Sequence, residues 1–173
     1  MSDSKLFDKA VMRFFKPFAQ RLGLAIAKIR DGVYEIPSPH FIMRIRLHDG
    51  HRRGLNVILR SAKLKDYSED KPNQEYGIGC LLLFQGEDLK QIIVEVNTDE
   101  DFLKQAKLLA EASERFCVPY LLGQKSDFEA VREFMKKRGE LDLKRIKQMQ
   151  RNIECNMPSI RQEWIMPENE MPS

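Results

Sequence analysis

Three imidazoles, His40, His48 and His51, fall close together and are the only histidines in the chain. Clustered imidazoles can hold a metal or move protons near neutral pH. Here they are surrounded by Arg44, Arg46, Arg52 and Arg53, whose charge opposes a bound cation, so no metal is expected. The arginines offer different chemistry, because a guanidinium binds carboxylates and phosphates through paired N–H groups. Arg44, Arg46, His48, Arg52 and Arg60 therefore form the candidate binding set, suited to an acidic protein partner. No aromatic side chains interleave with them, so a stacking platform for single-stranded nucleic acid is not expected.

Other constellations are sparse. Cys80, Cys117 and Cys155 are odd in number and widely spaced, without a C-x-x-C pair, which encodes neither a disulfide framework nor a zinc site. Cys80 and Cys117 read as small buried apolar residues. There is no G-x-S-x-G elbow and no G-x-x-x-x-G-K-[ST] loop, and Tyr76-Gly77-Ile78-Gly79 lacks the third glycine of a dinucleotide fingerprint, so no cofactor is expected. The segment Ile92-Ile93-Val94-Glu95-Val96-Asn97, followed by a helical pattern containing Gln105, resembles the core of the PD-(D/E)xK nuclease family. That resemblance implies an alternative function, a metal-dependent nuclease, intact or degenerate, in which Glu95 would help hold a divalent ion. Asn97 stands where the family carries lysine, and the preceding segment offers no clear acidic partner.

These side chains need elements to position them. Leu6, Phe7, Ala10, Val11, Phe14, Phe15 and Phe18 recur at three- and four-residue spacing, which predicts an amphipathic first helix, kinked near Pro17 and ended by Gly23. The period then changes to two. Asp31-Gly32 predicts a tight hairpin with Lys28 opposite Glu35 and Ile29 opposite Tyr34. Phe41, Met43, Ile45 and Leu47 form one apolar face, and Leu55, Val57 and Leu59 another. A two-residue turn at Asp49-Gly50 would set Leu47 against Arg52 and is rejected on parity. A longer connection pairing Ile45 with Leu55 and Met43 with Val57, and setting Gly54 opposite Arg46, aligns the apolar faces and gathers the arginines outside. Residues 63–74 have a loop composition, and 76–84 and 92–96 are the next strand candidates, expected to pair. Thr98 with three following acids, and Ser126 with Glu129, predict two helix starts; a stop at Gly139 and a third helix over 141–153 complete the pattern.

The expected class is α+β: an N-terminal helix, a mainly antiparallel sheet of about six strands, and two or three C-terminal helices. Residues 1–153 are expected to form one domain, and 154–173 an extended or partly disordered tail whose Ile160, Trp164, Ile165 and Met166 offer an apolar anchor for the protein's own surface or for another chain. With 29 basic against 26 acidic side chains, any charged patch must be local. The charges Asp8, Lys9, Arg13 and Lys16 interrupt what a signal-peptide core would need, and no run approaches the ~18 apolar residues of a membrane span, so a cytoplasmic protein without membrane contact is expected. Leu22-Gly23-Leu24, the Asp49-Gly50 turn followed by Leu55 and Val57, and Tyr120-Leu121-Leu122-Gly123 with Phe128 and Val131 resemble loose patterns of small bacterial α+β proteins. That resemblance implies a binding role, such as an adaptor, a chaperone or a toxin-neutralising protein. The resulting expectation is a non-enzymatic interaction domain that uses its sheet face or a strand–helix groove.

Overall fold

The computed structural model describes residues 2–48, 53–64 and 75–156. The chain divides into two compact units, Met1–Arg132 and Glu133–Ser173. In the first, α1 (Asp3–Ala10) runs through a π-helical turn (Val11–Phe15) into α2 (Lys16–Arg21). The widened turn closes with Lys16 N–H donating to the Val11 carbonyl and sets Pro17 in the first turn of α2, where a missing amide hydrogen leaves no gap in the ladder. Gly23, at φ +68°, ends the helix: its N–H donates to the Gln20 carbonyl at 3.0 Å and the Leu24 N–H to the Ala19 carbonyl at 2.9 Å. Two such bonds around a left-handed glycine satisfy the last carbonyls of a helix. Leu6, Phe7, Ala10, Val11, Phe15 and Phe18 are buried, and Phe14 lies at the edge of the stripe with the Arg13 guanidinium over its ring.

The sheet is a meander of five antiparallel strands, β1 (Ala27–Arg30), β2 (Val33–Pro37), β3 (Phe41–Leu47), β4 (Leu55–Ser61) and β5 (Glu75–Gly77), hydrogen-bonded in chain order. Asp31-Gly32 makes the expected turn, with Arg30 opposite Val33. An irregularity between Lys28 and Arg30 then moves Lys28 to face Tyr34 and Ala27 to face Glu35, correcting the expected pairs by one residue. Between β3 and β4 the pairs are Leu47 with Leu55, Ile45 with Val57 and Met43 with Leu59. Parity is as expected, but the register lies two residues from the expected pairing, and Arg46 faces Asn56 instead of Gly54. Ile36, Met43, Leu59 and Tyr76 consequently form one buried row across four strands.

The strand expected over 76–84 is overturned. Only Glu75–Gly77 pairs with β4, and Ile78–Phe84 is a helix, α3. A run apolar on every side is compatible with either element, and Ile78, Leu81 and Leu82 are buried at helical spacing. Residues 92–96 form no strand either, which brings the count to five. A short 3-10 turn (Leu89–Gln91) precedes them.

α4 (Asp99–Phe116) starts as its sequence requires: the Thr98 hydroxyl accepts from the Asp101 N–H at 3.1 Å, and the Asp101 carboxylate accepts from the Thr98 N–H at 2.9 Å. This reciprocal box satisfies two of the amides that a helix start leaves unpaired. Phe102, Ala106, Leu109, Ala110 and Ser113 all face inward. α5 (Val118–Leu121) and the start of α6 (Phe128–Asn156) complete the first unit. No break occurs at Gly139: α6 runs through it, so the two helices expected there are one, at a propensity cost of about 1 kcal/mol relative to alanine. The described part of the second unit is the rest of α6, on which Leu141, Leu143, Ile146 and Met149 are exposed. No described helix is long and apolar enough to cross a membrane. The turn at 49–52, the segment 65–74 and the tail with Trp164 lie outside the described residues.

The Asp101 carboxyl is held below the usual carboxylate range chiefly by the Thr98 hydroxyl, and that of Asp99 by the Arg53 guanidinium. Groups depressed in the folded state contribute stability above their unfolded pKa and lose it as pH falls through the lowered value. Asp101→Asn should therefore lower the urea midpoint at neutral pH and bring it toward wild type below about pH 4. A midpoint difference unchanged between pH 7 and acid would show that the charged form contributes nothing.

Candidate functional site

The arginines of the candidate set do not form a common exposed face. Arg44, at 6% exposure, is buried, and its Nε and Nη2 donate to one oxygen of Glu35 at 2.9 and 2.7 Å. The register explains the contact, since Arg44 on β3 lies directly opposite Glu35 on β2. Arg60 approaches the same Glu35 oxygen at 3.8 Å, and Arg44 Nη1 lies 4.0 Å from Glu75. Arg44 and Arg60 are thus engaged within the sheet. Arg46 is half-buried, His48 is exposed, and Arg52 lies outside the described residues.

Of the described members of that set, only His48 lines a cleft of about 970 Å³ in the first unit. One wall is β4 at Leu55 and Asn56. The floor is the β5–α3 junction, and the opposite wall is residues 92–97, with α4 closing one end through Gln105 and Leu109. Two features of its backbone stand out. First, among the described residues β5 pairs with β4 only over Ile58–Arg60, so β4 runs on past that pairing to Leu55, which lines the cleft. The His48 N–H donates to the Gly54 carbonyl at 2.9 Å, which points the even-numbered residues of β4 toward β3 and the backbone N–H of Leu55 away from it. A side chain stands in for the absent strand: Gln105 Oε1 accepts the Leu55 N–H at 3.0 Å. Gly54, at φ +153°, permits this approach, because a Cβ there would sit 2.9 Å from Gln105 Oε1.

Second, residues 93–97 alternate in burial: Ile93, Glu95 and Asn97 are exposed, while Val94 and Val96 are half-buried. Period-two alternation is that of an extended chain. The segment has strand composition without a ladder partner among the described residues.

The polar lining assembles no reacting pair. Burial raises the Cys80 thiol, opposed only by a backbone contact at Gly77, so no cation activates it. Arg53 is held by Asp3 at 2.8 Å, by Asp99 and by the face of Phe102. Glu95 is exposed on the unpaired segment, and the strand on which the nuclease resemblance placed it does not form. Among the described residues, no three histidines, cysteines or acids converge as metal ligands do. What the cleft does present is an apolar wall, with Leu83, Leu89 and Val94, and a hydrogen-bonding end, with His48, Asn56 and Gln105.

Comparison with protein-family models, with curated proteins and with solved structures finds no match, so geometry alone carries the functional reading. Sequence reading passed over Gln105 as a functional residue. The one local signal is Gly54, whose missing side chain leaves room beside β4; the side chain that fills it comes from α4, distant in the chain.

Two outcomes are expected here. Removing one partner of a buried ion pair costs about 3–5 kcal/mol, whereas a partly exposed side chain of ordinary surroundings costs about 1 kcal/mol or less. Arg44→Glu should therefore lower the urea midpoint far more than Arg46→Glu, and equal small shifts would remove the structural role of the Arg44–Glu35 pair. Burial also pushes the Cys117 thiol up to about 12. Cys117 should resist Ellman's reagent in the native protein and react on unfolding; rapid native labelling at that position, read by mass spectrometry, would contradict the burial.

Proposed function

We propose that this chain is a non-enzymatic protein-interaction domain that receives an extended segment of a partner protein in the cleft beside β4. One observation carries the reading: the cleft lies between an open strand edge, capped by a side-chain amide, and an unpaired segment of strand composition. Main-chain hydrogen bonds from a strand edge supply affinity for any extended peptide, and pockets for alternate side chains supply selectivity. The apolar wall suits every second residue of such a peptide. His48 and Asn56 suit its polar partners.

Gln105 also gives the edge a resting state. Exposed strand edges invite uncontrolled pairing, and a side chain that occupies the Leu55 N–H blunts this edge. A bound segment would take over that hydrogen bond, exchanging one amide acceptor for another at little net cost. The arginine-bearing strands are the weaker surface for a partner, because Arg44 and Arg60 already meet Glu35.

Peptides selected on the whole protein from a displayed library of unstructured sequences provide the test. They should slow amide exchange at Leu55 and residues 93–96. Gln105→Ala should strengthen binding several-fold by freeing the edge, and Val94→Trp, which fills the cleft, should weaken it by ~10-fold or more. Protection mapped elsewhere, or affinities indifferent to both substitutions, would refute the proposal.

A further inference from the structure

A second cavity of about 490 Å³ lies in the same unit, at the opposite end of β3 and β4 from the cleft. It is built from the start of β3, the residues following β4, Tyr76 of β5 and the turn that leads into α6. Its floor is aromatic. The Phe128 ring lies 5.1 Å from that of Phe41 and 5.0 Å from that of Tyr76, both edge-on, and Phe41 meets Tyr120 at 5.3 Å. Edge-on packing fixes the ring positions and leaves the half-buried Phe128 able to take another ring.

The rim is basic. Among the described residues Lys63, Lys125 and Arg132 line it against one acid, Glu129, which Arg132 meets at 2.6 Å. Among the described residues neither lysine has an ion pair. Lys125 is half-buried, with its ammonium 6.0 Å from the Tyr120 ring centroid. The hydroxyls of Ser61 and Ser126 also border the space.

The turn is shaped around the remaining wall. Gly123, at φ +70°, is pressed against the His40 imidazole so closely that a Cβ would sit 2.6 Å from Nε2. Any other residue there would strain the backbone and displace the ring. Behind the floor, the Tyr120 hydroxyl and Asp127 Oδ1 are buried, each without a hydrogen-bond partner. Burial first, and then the neighbouring Asp127 carboxylate, raise the phenol's pKa, although the two groups do not reach hydrogen-bond geometry.

We infer that this cavity binds a small aromatic phosphate. Its planar ring rests on Phe41, Tyr76 and Phe128, and its phosphate is held by Lys63 and Lys125. A volume of a few hundred cubic ångströms is the size of ordinary small-molecule sites, and an apolar floor with a few convergent charges is their usual build. An aryl phosphate and a nucleoside monophosphate share this chemistry, and the experiment separates them. The site is independent of the cleft and does not rest on peptide binding there.

The whole protein is titrated with phenyl phosphate and with adenosine 5′-monophosphate, alongside phenol, adenosine and inorganic phosphate, while amide resonances of Phe41, Gly123 and Ser126 are followed. At ~1 mM ligand at least one of the two aromatic phosphates should shift these resonances, and binding should weaken with added salt. Which of the two binds more tightly identifies the ring. A Lys63→Glu, Lys125→Glu double variant should lose that binding by ~10-fold or more while keeping its amide spectrum elsewhere. Inorganic phosphate binding as well as either aromatic phosphate, or no shift with both, would overturn the inference. So would a double variant that folds and binds unchanged.

Discussion

The pairing of β3 with β4 is the constraint from which the other features follow. With Leu47 opposite Leu55, every second side chain from Met43 to Leu47 meets an apolar partner, and these rows face the helical layer. A slip of β3 by one residue would turn Ile45 outward and bring Arg44 and Arg46 into the interior. The same register sets which backbone groups of β4 point away from β3. It therefore determines that Leu55 turns its N–H toward the cleft and that Gln105 can reach it. Fold and candidate site are two consequences of one alignment.

The opposite face of the sheet depends on that alignment too. Arg44 and Glu35 face one another only in the observed β2–β3 register, and at 7% and 13% side-chain exposure neither charge is well solvated. Such a pair adds little net stability compared with well-packed apolar residues, but an alternative register would leave a buried charge without its partner. Its effect is thus to penalise wrong pairings. Arg60 and Glu75 extend the network across β4 and β5, so the charges that looked like a binding surface in the sequence act as a lock on strand order.

Hydrophobic spacing made much of this legible. The amphipathic first helix, the Asp31-Gly32 turn, the parity of β3 against β4 and the capping box at Thr98 each have a local cause that a single chain displays. Arg44 was misplaced because alternation assigns a residue to a face and says nothing of how wet that face is. Glu35, nine positions earlier, held the missing signal, since opposite charges on adjacent strands select one another. The segment from Ile78 to Phe84 carried no period at all, being apolar throughout, and only packing against β4 and α4 decides for helix. At residues 92–96 the error ran the other way. Strand propensity measures fit to a pleated neighbour, and the described residues supply none here.

That absent neighbour joins the fold to the proposed activity. β4 extends past the point where β5 turns into α3, and residues 92–97 return alongside without pairing, so the topology leaves room next to an open edge. Gln105 reaches into that room from a helix whose start is fixed by Thr98 and whose packing is fixed by Phe102 and Ala106, so its amide is held in place by elements that have no other reason to move. A rigid acceptor on a strand edge is what a removable cap requires: firm enough to prevent indiscriminate pairing, and equal in chemistry to the peptide carbonyl that would replace it. Reaction chemistry would require the reverse, charged or nucleophilic groups drawn together and shifted from their ordinary pKa values. In this cleft Arg53 is tied to Asp3 and Asp99, and the Cys80 thiol is kept neutral by burial. The polar groups that remain, His48, Asn56 and Gln105, are neutral hydrogen-bonding side chains or an imidazole at one end of an apolar wall, which is the arrangement the proposed reading uses.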